Sequence, residues 1–248
     1  MDAIWNLFAN LNASTGINLP YLYDAFERSR FFAGIGHTIL LVASCMAASV
    51  VLGAIGALVQ IVWPRVGRFT VDPLIKVFRN TPPIIQLYFF YFAIGNLLPK
   101  MANAAGQQEP LIDALGWTII SLSVYTAAFN VESFRAGIEA VPRTMIEAAE
   151  ALCCRPSQIF LKILLPLGMR FSLPSLTNNL VDLVKQTSLA YAIAVPELLY
   201  VSSQIWADEF NVKEMMFTLL LVYTALVAVV VAIMHVIERK LSMPGYQS

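Results

Sequence analysis

Four ionisable side chains, Glu132, Asp182, Lys185 and Glu197, sit inside or at the ends of apolar stretches. In hydrocarbon each costs roughly 2.5–3.5 kcal/mol, so each should be paired or face a polar path. Asp182 and Lys185 are three apart and would share a helix face, and so would Glu132 and Arg135. Gln86, Asn178, Asn179, Thr187 and Ser188 add uncharged hydrogen-bonding groups to the same stretches. Little else in the chain points to covalent chemistry. His37 and His235 lie in or beside apolar runs and read as packing residues, and so does Cys45. Cys153 and Cys154 are adjacent, which is neither a metal spacing nor a geometry for a mutual bridge. No Gly-x-x-x-x-Gly-Lys-Ser/Thr phosphate loop, nucleophile elbow or metal cluster occurs. The chain is therefore not expected to be an enzyme, to bind a metal or to carry a cofactor.

The solvent is set by composition. Hydrophobic residues make up 58% of the 248, charged residues 13%, and the mean hydropathy is +0.68. A soluble domain carries about a quarter charged residues, so the natural solvent here is a lipid bilayer. A net charge of zero gives no footprint for nucleic acid. Met1-Asp2-Ala3-Ile4-Trp5 has no Lys or Arg, so the start does not read as a cleavable signal, and the first long apolar segment would act as an uncleaved anchor.

A membrane helix needs about 20 apolar residues. An all-α architecture of five crossings is expected: His37–Trp63, Pro82–Leu98, Leu111 to about Asn130, one broken crossing within Phe171–Ile205, and Met215–Ile237. Eleven of the 16 Lys and Arg fall in the Pro64–Thr81 and Arg135–Arg170 connections and the tail, four in the opposite connections, and Lys185 within the membrane. This bias places the N-terminus outside and the C-terminus in the cytoplasm. Residues 1–33 then form an external amphipathic lead-in whose Trp5, Phe8, Tyr21, Tyr23, Phe26, Phe31 and Phe32 read as an interfacial belt. Residues 34–241 form the membrane domain and 242–248 a cytoplasmic tail. Gly53 and Gly56 read as sites of close helix packing.

The longest cytoplasmic connection, about 139–166, has internal structure. Pro142 suits a helix start, Met145–Leu152 favour helix, and Arg155-Pro156 interrupts it. A second helical run is expected to follow and end near Pro166. Two short helices meeting at an angle would make a knob protruding from the membrane. Connections this long are uncommon unless they are functional.

These residues resemble a family. Glu147-Ala148-Ala149, followed by Ile163-Leu164-Leu165-Pro166 at the characteristic separation, is similar to the signature of binding-protein-dependent ABC importer permeases. Gly34-x-x-x-Thr38, Arg79-Asn80-Thr81-Pro82 with Gln86-Leu87, Glu132-x-x-Arg135-Ala136-Gly137-Ile138, Pro174, Asn178, Lys185-Gln186-Thr187-Ser188-Leu189, Glu197-Leu198 and Glu238-Arg239-Lys240 look like the polar amino-acid subgroup, of the histidine, glutamine or glutamate type. The likeness runs from about Gly34 to Lys240. Two departures stand out: Thr144-Met145 replaces the usual Gly-Gln, and Cys153 stands where the family has glycine. Cys153 can make that turn only with φ in the ordinary negative range.

The resemblance implies a type I ABC importer permease fold in a bacterial inner membrane. It implies three partners: a separate ATPase that binds ATP and Mg, a second permease, identical or paralogous, and an external amino-acid-binding protein. Glu147, Ala148, Ala149, Cys153, Arg155 and Pro166 would couple to the ATPase. Gln86, Asn178, Asn179, Asp182, Lys185, Thr187, Ser188 and Glu197 are candidates for the path of a zwitterionic amino acid. Asp182 and Lys185 read equally well as a self-compensating pair at the subunit seam. Glu132 and Arg135 read as an ion pair orienting the loop rather than as ligand contacts. The competing readings are a self-sufficient secondary transporter or channel and a non-transporting membrane scaffold.

Overall fold

The computed structural model describes residues 16–102 and 107–241. Trp5, Phe8 and the 242–248 tail lie outside the described residues. The elements are α1 (Pro20–Tyr23), α2 (Ala25–Val62), α3 (Pro64–Asn80), α4 (Pro83–Leu97), a hairpin of β1 (Lys100–Ala102) and β2 (Gln108–Pro110), α5 (Ala114–Glu139), α6 (Arg143–Ala151), α7 (Pro156–Ile193), α8 (Leu198–Glu209) and α9 (Val212–Leu241). Among the described residues α2, α5, α7 and α9 are long and apolar enough to cross a membrane. The expected second crossing is α4, which at 1.5 Å per residue reaches only about 22 Å against a hydrocarbon core of about 30 Å. Its backbone widens into a π turn at Phe89–Ile94 and tightens into a 3₁₀ turn at Gly95–Leu97.

The first crossing starts earlier than its hydropathy suggests. Asp24 Oδ1 accepts the backbone N–H groups of Phe26 and Glu27 at 2.7 and 3.0 Å, so α2 begins at Ala25 and cuts into the expected lead-in. One belt aromatic is therefore a core residue and a second packs against it. Phe31 is 3% exposed and Tyr21 stacks on it at 4.4 Å, whereas Phe26 and Phe32 remain exposed.

The chain forms two compact units. Among the described residues the first comprises 16–44, 84–102, 107–121 and 184–227. Its core joins Phe31, Leu198, Val201, Ile205, Met215 and Leu219, with a second cluster of Leu41, Leu87, Ala190, Ile193 and Val195. The second comprises, among the described residues, 45–83, 122–183 and 228–241, and its core is Ala57, Ile75, Ala128, Val131, Phe134 and Leu176. The helices hide little of their apolar surface. The most apolar window of α9 is 17% buried, against 56% in α5, so α5 is the more enclosed helix and most of α9 is left uncovered by the rest of the chain.

Close approach in the second unit is secured by small residues. A Cβ on Gly53 would meet that of Asn130, and one on Gly56 would reach Val131, so the expected packing role holds at both positions. The tightest crossing is α5 on α7. There a Cβ on Gly137 would overlap the Gly168 carbonyl oxygen and lie 2.8 Å from the Ser172 nitrogen. Gly137→Ala should therefore destabilise the protein by about 1–3 kcal/mol, read as a lower thermal midpoint in detergent. Gly36→Ala, whose new methyl meets nothing within 4 Å, should leave the midpoint unmoved. Equal midpoints for the two variants would contradict this packing.

Candidate coupling loop and polar groups of the membrane helices

The loop is a helix, a turn and the start of a long helix. Pro142 occupies the N-cap of α6, and its φ of −58° is already suited to helix entry. The end of α6 is a Schellman turn: Cys154 N–H donates to the Ala149 carbonyl at 3.1 Å and Cys153 N–H to that of Glu150 at 2.9 Å. This turn needs a left-handed residue, and Cys153 supplies it with φ of 54°. The expectation of an ordinary φ at Cys153 is thus overturned. The carbonyls at the end of α6 impose the left-handed geometry that a glycine would adopt without strain. Gln158 then caps α7, its Oε1 accepting the Arg155 N–H at 2.8 Å.

The second run does not end near Pro166. A π turn at Phe160–Leu164 lies just before the proline, and α7 continues to Ile193. Proline lacks an N–H and its ring presses on the carbonyl four residues back. The extra residue in a π turn relieves both problems. Glu147 and Ala148 are exposed on α6 while Ala149 is buried. Between α6 and α7 lies an apolar groove of about 540 Å³, lined by Met145, Ala149, Leu152, Ile163 and Leu167, with Lys162 and Arg170 also in its walls. Leu152, not singled out by the sequence reading, is 78% exposed at the tip of α6.

The membrane-helix candidates separate into two groups. Asn178, Asp182 and Lys185 recur at four- and three-residue steps along α7 and are exposed, and Ser188 donates back to the Lys185 carbonyl at 2.8 Å. Gln86 is buried on α4. Thr187 is buried and donates to the Val184 carbonyl at 2.7 Å. Asn179 donates to Asn130 Oδ1 at 3.0 Å and to Ser133 Oγ at 2.9 Å, with Ser133 2.7 Å from Ser175 Oγ. It clamps α5 to α7 instead of facing solvent. Glu197 is fully buried and caps α8, accepting the N–H groups of Leu199 and Tyr200 and the Tyr223 hydroxyl.

The expected Glu132–Arg135 pair is replaced by two others. Glu132 pairs with Arg79 from α3, and Arg135 pairs with Glu139 one helical turn on, at 3.0 Å. Arg79 also lies 5.0 Å over the Phe129 ring, which favours its position beside Glu132. No spacing in the sequence signals a partner 53 residues away.

The family model for "Binding-protein-dependent transport system inner membrane component" matches residues 49–243. The chain belongs to that family. It is a multi-pass transmembrane subunit of an ATP-binding-cassette importer. The probable amino-acid ABC transporter permease PatM of Vibrio harveyi is 30% identical over 168 residues, 68% of this chain and 72% of the relative. The probable glutamine ABC transporter permease GlnM of Bacillus subtilis is 28% identical, across 91% of this chain and 98% of the relative. A crystal structure of an amino acid ABC transporter has a chain that superposes with a TM-score of 0.76 at 21% identity, covering 90% of this chain and 99% of that one. The inward-facing MetNI methionine ABC transporter gives 0.71, also at 21%. The fold is that of the type I ABC importer permeases.

The left-handed Cys153 gives a local prediction. Cys153→Gly should stabilise the α6–α7 turn by up to about 1 kcal/mol, the strain removed outweighing glycine's extra unfolded-state freedom. Slower protease nicking at residues 152–155 is the expected result, and faster nicking would contradict it.

Proposed function

We propose that the family's transport activity is realised here as import of amino acids, driven by a separate ATPase docked on the α6–α7 loop. The observation that carries the docking reading is the loop's form: a short helix with Glu147, Ala148 and Leu152 exposed, set off from α7 by a tight turn. The cargo class rests on relatives whose names specify amino acids, glutamine, glutamate/aspartate and arginine. The partners are the ATPase with its ATP and Mg, a second permease, and an external binding protein, all assembled in a bacterial cytoplasmic membrane.

The N-terminus outside and the C-terminus inside is the orientation that fits. The connections expected outside all belong to the first unit, and the basic ones expected inside all belong to the second. ATP-driven closure of two ATPases moves the docked α6 helices and tips each permease between inward-open and outward-open states. The ATPase can bias that equilibrium only through contacts that differ between the two states. Asn178, Asp182 and Lys185 are the path candidates whose side chains are exposed, along α7.

Glu147→Lys places a cation where the docking helix presents a carboxylate. In vesicles bearing the complete importer we expect near-normal membrane insertion, with uptake lost and ATP hydrolysis no longer stimulated by loaded binding protein. Undiminished uptake by this variant would defeat the docking reading.

A further inference from the structure

A second feature, in the first unit, lies apart from the loop. Residues of α4, the end of α7 and α8 line a chamber of about 810 Å³ with a wide mouth, within the roughly 300–1,000 Å³ of small-molecule sites. Its walls carry the rings of Tyr88, Tyr191, Tyr200 and Trp206 and the polar side chains of Ser203 and Gln204, with no charged residue. The Tyr191 and Tyr200 rings stand 6.1 Å apart, tilted by 54°. Tyr191 keeps 46% of its surface open, so the ring is not consumed by core packing.

The polar groups are oriented from behind. Arg30 donates to Gln204 Oε1 at 2.9 Å and is itself held by Glu27 at 2.7 Å and Asp208 at 3.3 Å. With its oxygen engaged, Gln204 has its amide N–H donors to offer. Ser203 donates its proton to the Tyr200 carbonyl at 2.6 Å, which leaves its oxygen as an acceptor. The walls thus combine uncharged donors suited to a carboxylate with ring faces that attract an ammonium or guanidinium group.

Building on the amino-acid reading above, we propose that this chamber is a transient contact site for a zwitterionic α-amino acid on its way through the permease. The carboxylate takes the Gln204 amide and the cationic end lies against Tyr191 and its neighbours. Uncharged walls match a ligand of opposed charges and hold it weakly enough to release it. This site uses none of the α7 residues first nominated for the path.

The test is uptake by the complete importer, with its ATPase, second permease and binding protein, in proteoliposomes. The twenty standard amino acids are offered outside and the lumen is read by mass spectrometry. Tyr191→Ala and Gln204→Leu should each cut uptake of the transported amino acid by about tenfold. ATP hydrolysis stimulated by loaded binding protein should stay within about twofold of wild type, and Tyr191→Phe, which keeps the ring, should transport normally. Unchanged uptake in both variants would overturn the proposal. So would parallel loss of uptake and stimulated hydrolysis, which would mark the chamber as structural. A wild-type assembly that hydrolyses ATP but moves no amino acid would refute the cargo reading itself, and the chamber with it.

Discussion

Backbone polar groups that enter hydrocarbon must find partners within the chain, because lipid offers none. In this permease several departures from a straight helix come with a local answer to that demand. Where α7 ends, Ala194 turns left-handed and Val195 N–H reaches back to the Ala190 carbonyl at 3.2 Å. Where α8 begins, Glu197 takes two N–H groups, and Thr38 Oγ1 on α2 accepts a third, from Leu198, at 3.0 Å. Gly34 makes that reach possible, since a Cβ there would already press on Val201 and Leu198 at 3.2–3.3 Å. The Gly34-x-x-x-Thr38 motif is thus a device for satisfying the start of another helix. The Schellman turn at Cys153 and the π turn before Pro166 follow the same rule in the loop.

That demand also sorts the polar side chains. A buried polar group stabilises only when it is hydrogen-bonded. Asn179 and Glu197 meet this condition by fastening helices, which removes them from any simple path for cargo. Asn178, Asp182 and Lys185 on α7 and the ringed chamber of the first unit keep exposed polar or aromatic surface. Glu197, one of the path candidates, caps a helix, while the chamber residues Tyr191 and Gln204 carried no sequence signal.

Much of the architecture is legible in composition and periodicity. Mean hydropathy fixes the solvent, and α2, α5, α7 and α9 follow from their apolar runs. The broken crossing within Phe171–Ile205 and the helix–turn–helix form of the loop follow in part from proline placement. The misses share a cause. Asp24 as the α2 cap, Phe31 as core, Arg79 as the partner of Glu132 and the left-handed φ of Cys153 all depend on geometry between residues whose separation has no period. Pro166 misled for a different reason: a helix can run through a proline when the turn before it widens, as it does at Phe160–Leu164. The loop's motif pointed to a helix–turn–helix segment, but its exposed Leu152 and apolar groove needed coordinates.

The central claim is that the α6–α7 loop lies in the cytoplasm and is covered by an ATPase, and the protein's own thiols can test it. Cys153 is exposed and Cys154 partly so, whereas Cys45 is buried. A membrane-impermeant maleimide should therefore label the loop in inside-out vesicles and not in right-side-out ones. Adding the cognate ATPase should protect it. Labelling from the outside, or labelling unaffected by a bound ATPase, would contradict the account.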